Sequence, residues 1–187
     1  LMGVLADERL QGKLVYPVSQ GASMTGVVGA KFVHYGAAVS AIVFASTMLN
    51  YYYSVVLFPG SDPGVVAAAR SAGLLAAYFA TRVVIIVFAS ALFMKPLAAG
   101  LAALVVSYVE PIIASLPRWK SLVAYSLIDM ASRTLGPGMG TMPPGRAGIE
   151  ASGWVLAVAL MAEVAAMVLM TVWRMKSIEI APGAGAQ

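Results

Sequence analysis

The sequence predicts an all-α, multi-pass membrane helical bundle with about four transmembrane helices. Three observations predict it. The first is composition: of 187 residues, 60% are hydrophobic and only 11% charged, with a mean hydropathy of +0.87. A soluble domain carries about 25% charged residues. Less than half of that cannot coat a water-soluble globule of this size, so lipid is the main solvent. The second is four long apolar runs, each bounded by charge, aromatic residues or Gly/Pro punctuation. The third is a β-branched run, Val83 to Phe88, that would read as a strand in water. In lipid an open strand leaves backbone groups unpaired, so helix is the viable form.

The first crossing is expected over residues 29–58. That is roughly 30 residues, or about 45 Å of helix, more than a core of about 30 Å requires. Lys31 marks one border, and Tyr51, Tyr52 and Tyr53 suit the opposite headgroup zone, where rings bury their bodies and wet their hydroxyls. The stretch from Pro59 through Asp62, Pro63 and Gly64 forces a turn. The second crossing is expected over 65–94, with Lys95-Pro96 closing it. Pro96 disfavours helix at Lys95 and suits the first turn of the next helix. The third is expected over 97–116 and contains Glu110-Pro111, a carboxylate beside a helix breaker. Pro117, Arg118, Trp119 and Lys120 end it with a basic, aromatic border.

Residues 121–135 are amphipathic but too short and polar to cross, which predicts an interfacial or re-entrant helix. Asp129 and Arg133 stand four apart on it and should pair. Gly136, Pro137, Gly138, Pro143, Pro144 and Gly145 make the rest of 121–148 a loop. The last crossing is expected over 152–173, bracketed by Trp154 and Trp173 as by two aromatic belts. In domain terms, 1–28 precede the membrane, 29–174 form it, and 175–187 are a flexible tail of small residues.

Four crossings place both ends on one side. That side holds Arg9, Lys13, Lys31, Lys95, Arg174 and Lys176; the other holds Arg70, Arg118, Lys120, Arg133 and Arg146. Six against five is nearly balanced, but the first set hugs the helix ends more tightly. This orients both ends to the cytoplasm of a cell membrane. The net charge of +4 is scattered, with no basic run or aromatic platform, so no nucleic-acid partner is expected.

The chain has no cysteine and a single histidine, His34. Disulfides, iron–sulfur clusters, thiolate metal sites and a bis-histidine haem within this chain are excluded. Met139 and Met142, without His or Cys beside them, make a poor metal site. No catalytic set and no Gly-x-x-x-x-Gly-Lys-Ser/Thr loop is present, so the chain is not expected to be an enzyme by itself. Gly136-Pro137-Gly138 lacks the following lysine and helix of a phosphate loop.

Before the first crossing sits the polar exception, Asp7, Glu8, Arg9, Leu10, Gln11, Gly12 and Lys13, followed by Pro17-Val18-Ser19. Residues 1–6 are apolar and read as the tail of an upstream helix. Glu8-Arg9-Leu10-Gln11-Gly12, Pro17-Val18-Ser19 and Gly29-Ala30-Lys31 resemble the pattern of the membrane subunit of ABC-2 type transporters. There a Glu-Arg-x-x-Gly coupling helix is followed by a Pro-Val-Ser-like turn and a Gly-Lys step into the next helix. The resemblance covers the whole chain in layout and about 25 residues in motif. The interval from Gly12 to Pro17 is shorter than the family's, and the acidic residue after the glycine is missing.

The resemblance implies a permease, an exporter subunit coupled to ATP hydrolysis elsewhere. It implies a cytoplasmic coupling helix before three crossings, an interfacial hairpin, and a last crossing. Partners would be an ATPase subunit, which carries the ATP and Mg, and a second permease copy or homologue; this chain itself would hold no cofactor. Asp7, Glu8, Arg9, Gly12, Lys13 and Pro17 would form the docking surface. Asp7 and Glu8 suit a helix start, and Arg9 and Lys13, four apart, share a face that could meet partner carboxylates.

Four polar residues lie within the crossings: Asn50, Arg82, Glu110 and Glu163. A mid-membrane arginine faces protein rather than lipid. An Arg82–Glu110 or Arg82–Glu163 pair would lower its desolvation cost and tie two helices; the same residues could line a transport path. Asn50 with the three tyrosines either anchors the belt or meets polar cargo. The rival to a permease is a structural or anchoring subunit of a larger, for example respiratory, membrane complex.

Overall fold

The computed structural model describes residues 11, 21, 23–58, 60, 62–93, 95–116, 119, 122–135 and 153–179, without the side chains of 24 and 176–179. These residues form the expected all-α, multi-pass fold. There are five helices and no strand among them: α1 (Met24–Leu57), α2 (Val65–Leu92), α3 (Pro96–Ala114), α4 (Ser126–Thr134) and α5 (Gly153–Glu179). Four are long and apolar enough to cross a membrane, over Thr25–Leu57, Val65–Leu92, Pro96–Ala114 and Gly153–Met175. The proposed coupling stretch (Asp7, Glu8, Arg9, Gly12, Lys13, Pro17), the Gly/Pro loop with Met139 and Met142, and residues 181–187 lie outside the described residues.

Helix α1 starts five residues earlier than expected. Ser23 explains the start: its Oγ accepts a hydrogen bond from the Gly26 N–H at 3.1 Å, and its carbonyl accepts from the Val27 N–H at 3.1 Å. That is an N-cap satisfying one of the orphan amides of the first turn. The fully buried Val28 then pulls the first turn into the protein. Gly29, Ala30 and Lys31, expected as the step into the helix, therefore lie inside α1. At 34 residues the helix is about 51 Å long, well beyond a core of about 30 Å.

The turn into α2 is built on Asp62. Its Oδ1 accepts from the Gly64 N–H at 2.8 Å and from the Tyr51 hydroxyl at 2.9 Å. Gly64 sits at φ +85°, a left-handed conformation that glycine adopts without steric cost. Its carbonyl then accepts the first bond of α2, from the Ala68 N–H at 3.1 Å. Helix α2 ends at Leu92, two residues before the expected 94, and α3 begins at Pro96. Only 93–95 separate them. The Lys95 carbonyl accepts from the Ala99 N–H at 3.1 Å, which puts Pro96 at the first helical position, where its missing N–H costs nothing.

Pro111 does not stop α3, which continues to Ala114. It removes one donor and falls near the end of the helix, where the ladder is about to finish anyway. The helix unwinds at once: the Ser115 N–H is shared between the Pro111 and Ile112 carbonyls, both at 3.1 Å, and Leu116 bonds three residues back. Further three-back bonds from Leu122, Ser126 and Leu127 carry the chain into α4. This nine-residue helix is shorter than the expected 121–135. Leu127 and Ala131, one turn apart, are buried, while Arg133 is exposed. The expected Asp129–Arg133 pair forms at 3.0 Å, with the acid in the first turn and the base in the last, as the helix dipole favours.

Helix α5 runs to Glu179, so the tail expected from 175 is helical for its first five residues. Arg174, Met175 and Lys176 are good helix formers, and the first proline comes only at 182. Trp154 and Trp173 are 71% and 72% exposed. The nineteen residue steps from one to the other span about 28 Å of helix, which matches the hydrocarbon thickness of about 30 Å.

The chain divides into two compact units. The first contains the described residues up to Gly36, then Arg82–Tyr108 and those from Met161. Its core is Ile85, Ala89, Ala99 and Ala103, with Ile86, Ala102 and Met167 packed against it. Three of those four core residues are alanine, which lets α2 and α3 approach closely across their short link. The second unit contains Ala37–Thr81 and Val109–Leu160. There Ala68, Ala72 and Ala76 are buried at four-residue steps on α2. The Ser40 hydroxyl of α1 donates to the Ala76 carbonyl at 3.4 Å. Gly153 at the start of α5 lies beside Met130 of α4, whose Cε would be 3.8 Å from an added Cβ.

Candidate functional site

Arg82 lies well inside α2, with no other charged residue between Arg70 and Lys95. Glu163 is the one charged residue of α5 between Trp154 and Trp173. Both belong to the first unit. Arg82 is buried, 8% exposed, and Glu163 is half-buried. The guanidinium is near enough to act on the Glu163 carboxylate within that unit. The local register explains it. One turn on from Arg82 is Ile86, and one turn on from Glu163 is Met167; both pack against the same apolar core. In a low-dielectric interior, opposite charges so placed attract strongly and offset part of their desolvation cost.

Glu110 belongs to the second unit. It is buried, 6% exposed, next to Pro111 in the last turns of α3. Asn50 is exposed on α1, and its carbonyl accepts from the Ser54 hydroxyl at 2.9 Å. Its neighbours Tyr52 and Tyr53 are 62% and 54% exposed, their rings edge-to-face at 5.9 Å. This cluster faces outward, as a belt does, and Asn50 does not join the buried polar residues. His34 is exposed, its ring edge-to-face with that of Tyr35, centroids 5.3 Å apart.

Sequence reasoning placed the α1–α2 turn without the side-chain role of Asp62, and it missed Ser71, Ser90 and Thr171. Asp62 organises the α1–α2 turn; the signal was present as Asp-x-Gly after a proline-rich break, a pattern in which the side chain mimics a backbone turn. Ser71 is buried at 1% exposure, and its hydroxyl has no hydrogen-bond partner among the described residues. Ser90 of α2 and Thr171 of α5 are completely buried in the first unit. Thr171 donates to the Met167 carbonyl at 2.7 Å. Serine and threonine can satisfy their hydroxyls on their own helix, so neither announces a contact by composition.

Four apolar crossings with charged residues drawn inward define a multi-pass membrane protein. No family model, no curated protein and no solved structure matches this chain.

Proposed function

We propose that this chain is the membrane-spanning permease subunit of an ATP-binding cassette transporter of the ABC-2 type, acting as an exporter. One observation carries the proposal: the order of elements. Three apolar helices are followed by the short amphipathic α4 and then by one more apolar helix, the order that the resemblance around Glu8, Arg9 and Pro17 implies. An amphipathic helix of nine residues is too short to cross and suits the membrane surface.

In this mechanism a separate ATPase subunit binds ATP and Mg and closes on it. The polar stretch Asp7–Lys13 transmits that closure to the membrane helices. Arg9 and Lys13 meet carboxylates of the ATPase, while Asp7 and Glu8 stabilise the start of the coupling segment. A second copy of the chain, or a homologue, completes the pathway in the cell membrane, with the ends of the chain in the cytoplasm. Arg82 and Glu163 hold helices together rather than carry cargo, since a pair that neutralises itself offers little free charge to a substrate.

Affinity purification of the tagged chain in mild detergent from its native membrane tests the proposal. Recovery of a subunit with a Gly-x-x-x-x-Gly-Lys-Ser/Thr loop is the expected result. Recovery of redox subunits and no ATPase would overturn it in favour of an anchoring role.

A further inference from the structure

Arg70 lies on α2 five residues past its start at Val65, about 8 Å along the helix. It is exposed, and the described acids of its unit are engaged elsewhere. Asp129 pairs with Arg133 at 3.0 Å, and Glu110 is buried. The Asp62 Oδ1 takes the Tyr51 hydroxyl and the Gly64 N–H. Among the described residues Arg70 forms no ion pair. No acid sits in the first turn of α2, so the positive end of the helix dipole adds to the guanidinium charge. Below Arg70 the same face is bare. Gly73 and Ala77, three and seven residues on, are both exposed, and a Cβ added to Gly73 meets nothing within 4 Å. One turn above, Val66 is 83% exposed.

We propose that this face of α2 holds one anionic phospholipid, its phosphate on Arg70 and an acyl chain laid along Gly73 and Ala77. An arginine at this depth runs its apolar stem along the helix and lifts its guanidinium to the headgroup level. There the guanidinium presents a planar fork of donors that matches two phosphate oxygens. With no bulk at 73 and 77, hydrocarbon approaches the α2 backbone and gains close dispersion contacts. Charge selects the headgroup. A zwitterionic lipid brings an ammonium beside the guanidinium and the positive helix end, whereas a lipid with a net negative headgroup brings no such repulsion.

The full chain, purified in mild detergent, is titrated with dioleoyl phosphatidylglycerol, and bound lipid is counted by native mass spectrometry. One lipid should be retained more tightly than any other. Arg70→Gln should weaken its retention at least about tenfold. Lys95→Gln removes an exposed cation from the α2–α3 turn and should leave retention unchanged. Gly73→Leu fills the bare face without crowding the protein and should weaken retention severalfold in a chain that stays folded. Dioleoyl phosphatidylcholine should bind more weakly, dioleoylglycerol, which lacks the phosphate, should not be retained, and inorganic phosphate should not displace the lipid. Equal retention by wild type and Arg70→Gln, an equal fall in Lys95→Gln, or no change in Gly73→Leu would overturn the proposal. So would equal retention of either comparison lipid, or displacement by inorganic phosphate, which marks a free-anion site instead.

Discussion

Ala72 and Gly73 are neighbours on α2, yet the structure assigns them opposite tolerances. Ala72 is completely buried, between Ala68 and Ala76 on the same stripe. Beside that stripe the Ser40 side chain of α1 reaches the Ala76 carbonyl at 3.4 Å, so two helices meet there with little more than a methyl group between them. Gly73 is exposed, and a Cβ added to it meets nothing within 4 Å. Leucine at 72 forces three extra carbons into a filled contact, at a cost of about 1–3 kcal/mol. In lipid there is no hydrophobic gain to offset it, because the side chain leaves an equally apolar solvent. Leucine at 73 projects outward and replaces a poor helix former, a gain of up to about 1 kcal/mol. The two variants should differ by roughly 1–4 kcal/mol. The assay is unfolding of the purified chain in mixed micelles by titration with sodium dodecyl sulfate, followed by Trp fluorescence. Ala72→Leu should unfold at lower dodecyl sulfate than the wild type and Gly73→Leu at equal or higher. Equal behaviour of the two would refute the claim that the alanine stripe is a helix–helix contact.

Two further predictions concern single residues. Gly64→Ala should destabilise by about 1–2 kcal/mol, the cost of a left-handed backbone with a Cβ. That cost comes from the φ of +85° and not from crowding, since nothing lies within 4 Å of the added atom; Gly64→Asn in the same titration should lose less. Ser71→Ala should stabilise by about 1 kcal/mol, because it removes a buried hydroxyl with no described partner.

How much of this was legible in sequence follows the physics of each feature. The crossings were legible because hydropathy and length act on a whole segment. Lys95-Pro96 was legible because proline acts on its neighbour's backbone and has few places to go. The start of α1 was not. Gly26 and Gly29 are weak helix formers, and the Ser23 cap and buried Val28 outweigh them. The end of α5 was misread because Arg174 and Lys176 mark a membrane border, and a border need not end a helix. Arg82 could be recognised as an inward-facing charge, but which carboxylate it faces depends on how the helices pack, which is a tertiary fact. Ser90 and Thr171 left no trace in composition at all.

The central claim is coupling to an ATPase through the polar stretch before α1. Gln11→Cys places a lone thiol in that stretch of a cysteine-free chain. The variant is labelled with a thiol-linked photoreactive probe in native membranes, and the adduct is identified by mass spectrometry. The expected adduct is with a subunit carrying a Walker-type nucleotide loop, lost when Glu8→Ala is added while membrane insertion is unchanged. A probe that reacts with a redox subunit, or with no ATPase although one co-purifies, would contradict the claim.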